Sequence, residues 1–134
     1  MLFRSQAQDF GGSDEAWDAW LATGRCPAIE PVRKIFHEAR RLGCAVLFIT
    51  GRREHLRAAT EKNLRDLGCG EFAELVLKPE ASKETAAAYK SAARARLEAQ
   101  GYAIIANLGD QASDLAGGHA ERAFKLPGPF YFTP

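Results

Sequence analysis

The sequence is poor in the features that would take it out of ordinary globular chemistry. It has three cysteines, Cys26, Cys44 and Cys69, an odd count without metal-type spacing. Neither a disulfide framework nor a zinc site follows from them; buried or incidental thiols do. Charge of one sign is not in excess, since 18 Lys and Arg stand against 17 Asp and Glu. That balance gives no electrostatic footprint for nucleic acid or an anionic membrane surface. Long apolar runs are missing: the longest, Cys44 to Ile49, is far too short to span a bilayer. Arg4 is followed by Ser5-Gln6-Ala7-Gln8-Asp9 and not by an apolar stretch, so no signal peptide is expected and the chain as given reads as cytoplasmic. G-x-G-x-x-G and P-loop patterns are lacking too, which removes support for a dinucleotide or nucleoside-triphosphate cradle.

What remains is a chain of 134 residues, 46% hydrophobic and 26% charged. That is enough to bury about two-thirds of its unfolded surface in one domain, expected to span residues 1–134. Trp17, Trp20 and Leu21 fall at helical spacing, which predicts a short helix over Asp14–Leu21. Pro31 opens a second helix, whose stripe of Val32, Ile35, Phe36, Ala39 and Leu42 ends at Gly43. Cys44–Ile49 is the continuous apolar run of a strand buried on both faces. A third helix starts near Arg53, with Leu56, Thr60, Leu64 and Leu67 on one face, and Gly68 closes it. Phe72–Leu77 is a second strand, an Ala-rich helix lies between Ser82 and Gln100, Tyr102–Leu108 is a third strand, and Ala120–Leu126 carries a fourth. Strands alternating with helices predict a parallel α/β sheet with right-handed crossovers, Rossmann-like, with helices on both faces.

Ligands of such sheets bind beyond the carboxyl ends of the strands. Thr50-Gly51-Arg52 follows the first strand: a hydroxyl, a glycine that lets the backbone approach closely, and amides near a helix start suit an oxyanion or phosphate. Thr50 is equally suited to cap the next helix. Gly109-Asp110-Gln111-Ala112-Ser113-Asp114 follows the third strand. Its two carboxylates could hold a hard cation, or Asp110 or Ser113 could cap a short helix with Asp114 in its first turn. Lys90 shares a helical stripe with Ala86, Ala93 and Leu97, the side that should face the sheet. A lysine there either snorkels outward, the commoner fate, or neutralises something anionic near the strand ends. His37, His55 and His119 stand near no nucleophile at diagnostic spacing and read as surface or helix residues.

In their order, Ile49-Thr50-Gly51-Arg52, Arg57, Thr60, Asn63-Leu64, Leu77-Lys78-Pro79, Tyr89-Lys90-Ser91 and Asn107 through Leu115 resemble one family. It is the acid phosphatase branch of the haloacid dehalogenase-like superfamily, which includes bacterial class B-like acid phosphatases and plant vegetative storage proteins. The segment from Ala120 to Pro134 resembles that family's C-terminal end.

The resemblance implies a magnesium-dependent phosphatase acting on small phosphate monoesters. In such enzymes an aspartate attacks the phosphoryl group, and water hydrolyses the aspartyl-phosphate that results. It implies catalytic roles for Thr50 and Lys90, phosphate binding by Thr50, Gly51 and Lys90, and a magnesium site at Asp110 with Asp114 beside it. Arg52 sits where substrate contacts are plausible but takes no firm role. The family's first motif, Asp-x-Asp-x-Thr at the end of a central strand, supplies the nucleophile, and it does not occur in the 134 residues. Asp9-Phe10 matches a position shortly downstream of it. The chain is therefore expected to lack the first central strand, to be inactive as given, and to self-associate through unpaired strand edges. The segment 14–24 is expected to be the remnant of a cap region. A non-catalytic, ligand-binding or storage-type descendant of the same fold is the alternative to the enzyme.

Overall fold

The structure is a computed structural model that describes residues 14–26 and 28–127. Asp9, Phe10 and the tail from residue 128 lie outside the described residues. The order of elements is α1 (Asp14–Ala22), α2 (Glu30–Arg41), β1 (Leu47–Arg53), α3 (Arg57–Asp66), β2 (Glu74–Lys78), α4 (Ala86–Ala99), β3 (Ala106–Gly109), α5 (Ala112–Leu115) and β4 (Arg122–Lys125). Contacts divide the chain into two compact units that part at Glu80 and Ala81. β1 pairs with β2 in the first unit and β3 with β4 in the second, each pair parallel. The α/β alternation is as expected. No strand precedes Leu47 among the described residues.

In the unit that ends at Glu80, Pro31 stands in the first turn of α2, where a missing N–H costs nothing. Gly43, at φ +80°, ends that helix, and the Cys44 amide reaches back to the Ala39 carbonyl. Phe36 then packs with Leu64, Cys69, Leu75 and Leu77, with Phe48 and Phe72 against them. Phe36 and Phe48 stack at 5.9 Å between centroids, and Phe72 meets Phe48 edge-on at 5.8 Å. A smaller cluster joins Leu21, Cys26 and Leu56 to Trp17 and Trp20.

Here the first strand differs from its sequence pattern. Cys44, Ala45 and Val46 lie before it, and it runs on through Thr50 to Arg53. Regular pairing stops at Ile49 with Val76 and resumes at Arg53 with Lys78, so Thr50, Gly51 and Arg52 face Leu77 alone. This is a bulge, which bends a strand and re-aims its side chains. A short 3-10 turn, Glu54–Leu56, precedes α3.

In the unit from Ala81 onward, α4 begins where the Thr85 hydroxyl accepts the Ala88 amide, within the stretch expected between Ser82 and Gln100. Tyr89, Ala93, Arg94 and Leu97 are its buried residues. β3 is shorter than Tyr102–Leu108, and all four residues of β4 are exposed.

His37, His55 and His119 are exposed, as expected of surface residues, but His55 is not idle. Its Nδ1 meets Glu80 Oε1 at 2.7 Å and its Nε2 meets Asp18 Oδ2 at 3.3 Å, while its amide donates to Glu80 Oε1. Only the doubly protonated ring can serve both carboxylates. The hydrogen bond to Glu80 and the two negative charges raise its pKa above the ordinary 6.5. The His55 amide and ring hold the Glu80 carboxyl below its ordinary 4.5. A raised histidine stabilises the fold below its unfolded value and loses that contribution as pH climbs through the folded value; a depressed carboxyl loses its own as pH falls. The melting-temperature gap between the wild type and His55→Gln should therefore be widest between pH 4.5 and 6.5 and shrink above that range. A gap that is flat from pH 5 to 9 would show that the imidazolium holds nothing.

Candidate active site around Asp110

β3 ends at Gly109, and the chain turns at once into α5. Neither Asp110 nor Ser113 caps that helix. Gln111 is the N-cap, and its amide donates to Asp114 Oδ2 at 3.1 Å, as a capping box requires. The other oxygen of Asp114 receives the Lys90 ammonium. Lys90 therefore does not snorkel: 18% of its side chain is exposed, and 11% of that of Asp114. Burial alone would push the Asp114 carboxyl up, but the Lys90 ammonium and the Gln111 amide outweigh it and hold the group below its ordinary value. Both oxygens of Asp114 are thus engaged by the chain itself.

Asp110 is different. It is 3% exposed, and its Oδ2 is buried without a hydrogen-bond partner among the described residues; the Ser113 hydroxyl is likewise unpartnered. A buried carboxylate oxygen left unanswered is strongly unfavourable unless something cationic or hydrogen-bonding meets it. Its hardness and charge suit a divalent cation such as magnesium, which binds through one or two carboxylates and keeps several waters. No cluster of three or more metal-ligating side chains occurs among the described residues. Asp110 therefore fits as a single protein ligand, not as part of a complete cage.

The close approach of Asp114 depends on Gly109. A Cβ there would stand 2.7 Å from Asp114 Oδ2, so only glycine fits without moving the carboxylate. The Asp114 carbonyl is held as well, by Asn107 Nδ2 at 3.0 Å and Arg94 Nη1 at 2.8 Å. Arg94 stands four residues after Lys90, just off the stripe through Ala86, Ala93 and Leu97, so sequence reasoning missed it. Its signal was faint: an arginine inside an alanine-rich helix, one turn beyond a lysine already placed inward.

Thr50, in the other unit, lies within the bulge of β1, and its hydroxyl accepts the Arg52 amide at 3.2 Å. It does not cap α3, whose N-cap is Leu56. Gly51 has no positive φ, and a Cβ on it would meet nothing within 4 Å among the described residues. Neither backbone geometry nor packing among the described residues requires glycine there. Arg52 is turned inward, donating to Thr60 Oγ1 at 3.2 Å and to Cys26 Sγ at 3.3 Å. Burial pushes the Cys26 thiol up against the opposing pull of Arg52, and a protonated buried thiol is a packing group, not a nucleophile. Cys26, Cys44 and Cys69 are all free.

Two substitutions probe the Asp114 node. Gly109→Ala should cost about 2 kcal/mol, in the range of overpacked sites. Asp114→Asn should cost about 3 kcal/mol by leaving Lys90 without its counter-charge. The Asp114 contribution is present above the ordinary 3.8 and lost as pH falls through the lowered folded value. Denaturation of the wild type and Asp114→Asn should therefore converge in strong acid; a difference that persists unchanged would assign the effect to packing.

Residues 6–134 match the family described as HAD superfamily, subfamily IIIB (Acid phosphatase). The chain is 40% identical over 120 residues to a stem 28 kDa glycoprotein of Glycine max, covering 87% of this chain and 47% of that one. It is 37% identical over 121 residues to acid phosphatase 1 of Solanum lycopersicum, covering 89% and 48%. With vegetative storage protein 1 of Arabidopsis thaliana the identity is 36% over 120 residues, covering 89% and 44%. The chain thus spans about half the length of these relatives. Among solved structures, the class C acid phosphatase from Bacillus anthracis superposes with a TM-score of 0.76 at 18% identity, over 98% of this chain and 64% of that one. The likeness of fold and the family match agree: the chain belongs to the acid phosphatase subfamily IIIB of the HAD superfamily.

Proposed function

We propose that the protein is a magnesium-dependent phosphatase of small phosphate monoesters, in which Asp110 holds the metal and Lys90 faces the phosphate. The observation that carries this reading is the buried, unanswered Oδ2 of Asp110 in the same loop as an Asp114 already satisfied by Lys90 and Gln111. Within this unit the labour is divided. Asp110 keeps a buried oxygen without a partner among the described residues, while Asp114 fixes the lysine and the first turn of α5. Lys90 keeps further N–H donors for an oxyanion, since an ammonium has three. A bound magnesium ion would offset the repulsion between carboxylate and phosphate and stabilise charge on the transferring oxygens.

The attacking carboxylate is not among these groups, because no Asp-x-Asp-x-Thr occurs in the 134 residues. Turnover through an aspartyl-phosphate therefore requires that carboxylate from outside them. A second reading is a non-catalytic storage-type protein that keeps the fold. The name of the Arabidopsis relative, vegetative storage protein 1, is in keeping with it.

The 134-residue chain should bind magnesium weakly in titration calorimetry, and Asp110→Asn should weaken it about tenfold further. It should not hydrolyse p-nitrophenyl phosphate above the rate of Asp110→Asn. An upstream extension that carries Asp-x-Asp-x-Thr should turn over with magnesium. Tight binding indifferent to Asp110→Asn would remove the metal from this site, and an inert extension would favour the storage reading.

Phosphate contact at Gly51 has its own test. Because Gly51 has ordinary φ and open space where a Cβ would stand, Gly51→Ala should leave stability unchanged or raise it by about 0.5 kcal/mol. If the backbone there approaches phosphate, inorganic phosphate should shift the Gly51 amide resonance in the wild type and bind Gly51→Ala more weakly. Equal phosphate affinity for both would withdraw Thr50 and Gly51 from the phosphate site.

A further inference from the structure

Side chains of α4 meet α5 and the loop after it at successive points. Lys90 takes the Asp114 side chain, Ser91 Oγ donates to the Gly117 carbonyl at 3.3 Å, and Glu98 Oε2 meets His119 Nδ1 at 2.7 Å. Between them stands Arg94, 2% exposed. Its Nε donates to the Gly118 carbonyl and its Nη1 to the Asp114 carbonyl, both at 2.8 Å, and its Nη2 to the Ala116 carbonyl. No carboxylate forms an ion pair with Arg94 among the described residues. Burial lowers its pKa, against the pull of Asp114 and Glu98.

A buried guanidinium answered only by carbonyls is a poor device for stability, since an apolar side chain of like volume often serves as well or better. Its rigid fork is, however, well suited to fixing several acceptors at once. The loop it fixes needs fixing. Gly117, Gly118 and His119 have φ of +85°, +72° and +62°, a left-handed run that ends in a residue with a side chain. A Cβ on Gly117 would also run into Ser91. Left alone, this segment would sample other conformations, and the Asp114 carbonyl would move with it.

We propose that Arg94 is a positioning residue for the site proposed above: by gripping the carbonyls of Asp114, Ala116 and Gly118 it sets Asp114 under Lys90 and holds Asp110 facing the metal. This rests on the phosphatase reading for its purpose but not for its geometry. Arg94 touches neither metal nor phosphate; it acts through Asp114.

The test uses the 134-residue chain with 13C-labelled lysine and aspartate, the Lys90 Cε signal being assigned by Lys90→Arg. Arg94→Met keeps the buried stem and removes the fork, and Arg94→Ala leaves room for added guanidinium. In Arg94→Met, with far-UV dichroism unchanged, the Lys90 Cε signal should move to that of exposed lysines. The response of Asp110 Cγ to magnesium should require about tenfold more metal. Millimolar guanidinium should return both signals toward wild type in Arg94→Ala and do nothing to Arg94→Met. A lowered melting temperature with the Lys90 signal in place and the magnesium response within twofold would make Arg94 a packing residue and overturn the proposal. If Asp110 of the wild type ignores magnesium, the phosphatase reading fails, and the Lys90 signal still decides for or against Arg94.

Discussion

A cation taken out of water has to be answered, and in the unit from Ala81 onward that requirement organises everything else. α4 buries two basic side chains one turn apart. Lys90 is answered by a carboxylate and Arg94 by three carbonyls. Both answers come from the stretch between Gly109 and His119, so its path is dictated by where the two charges stand. Gly109 lets Asp114 in, Asn107 holds its carbonyl, and Gln111 closes the turn. Asp110 is left with a buried oxygen that has no partner among the described residues. The reactive candidate is thus defined by subtraction, as the group the local network leaves over.

The unit that ends at Glu80 solves a similar problem with a neutral side chain. Asn63, buried on α3, donates to the Cys26 carbonyl at 3.0 Å and accepts the Cys26 amide at 3.1 Å. Its amide thereby acts as a neighbouring strand would, satisfying both main-chain groups of a buried loop residue. Arg52 lies beside the same cysteine, donating to its sulfur and to Thr60. Arg52, which stands where substrate contacts are plausible without a firm role, makes these internal contacts. The apolar cluster around Phe36 supplies much of the burial, and these polar contacts fix Cys26 in the smaller cluster with Leu21 and Leu56.

Much of the fold was legible because punctuation and periodicity are local properties. Pro31, Gly43 and Gly68 mark helix ends wherever they occur, and the short apolar runs mark strands. Strand limits were less legible, because the bulge at Thr50 depends on what Leu77 does across the ladder, which no local pattern records. Lys90 was legible as a lysine on the sheet-facing stripe, with snorkelling its commoner expected fate; its partner was not legible, since the partner lies 24 positions away. Arg94 escaped because arginine in a helix is ordinarily a surface residue; its burial follows from carbonyls that only the tertiary path supplies. The pair of carboxylates on either side of His55 was equally invisible, with Asp18 brought to it from α1 and Glu80 from the turn after β2.

Parallel pairing also sets an order in time. Every ladder bond between β1 and β2 closes a segment that contains the whole of α3, and every bond between β3 and β4 closes one that contains α5 and the left-handed run from Gly117 to His119. Helical turns form in well under a microsecond, whereas contacts across such segments first pay for loop closure. In the unit from Ala81 onward the loop must therefore find its unusual backbone before β4 can zip. The contacts of α4 with Asp114, Gly117 and Gly118 narrow that search.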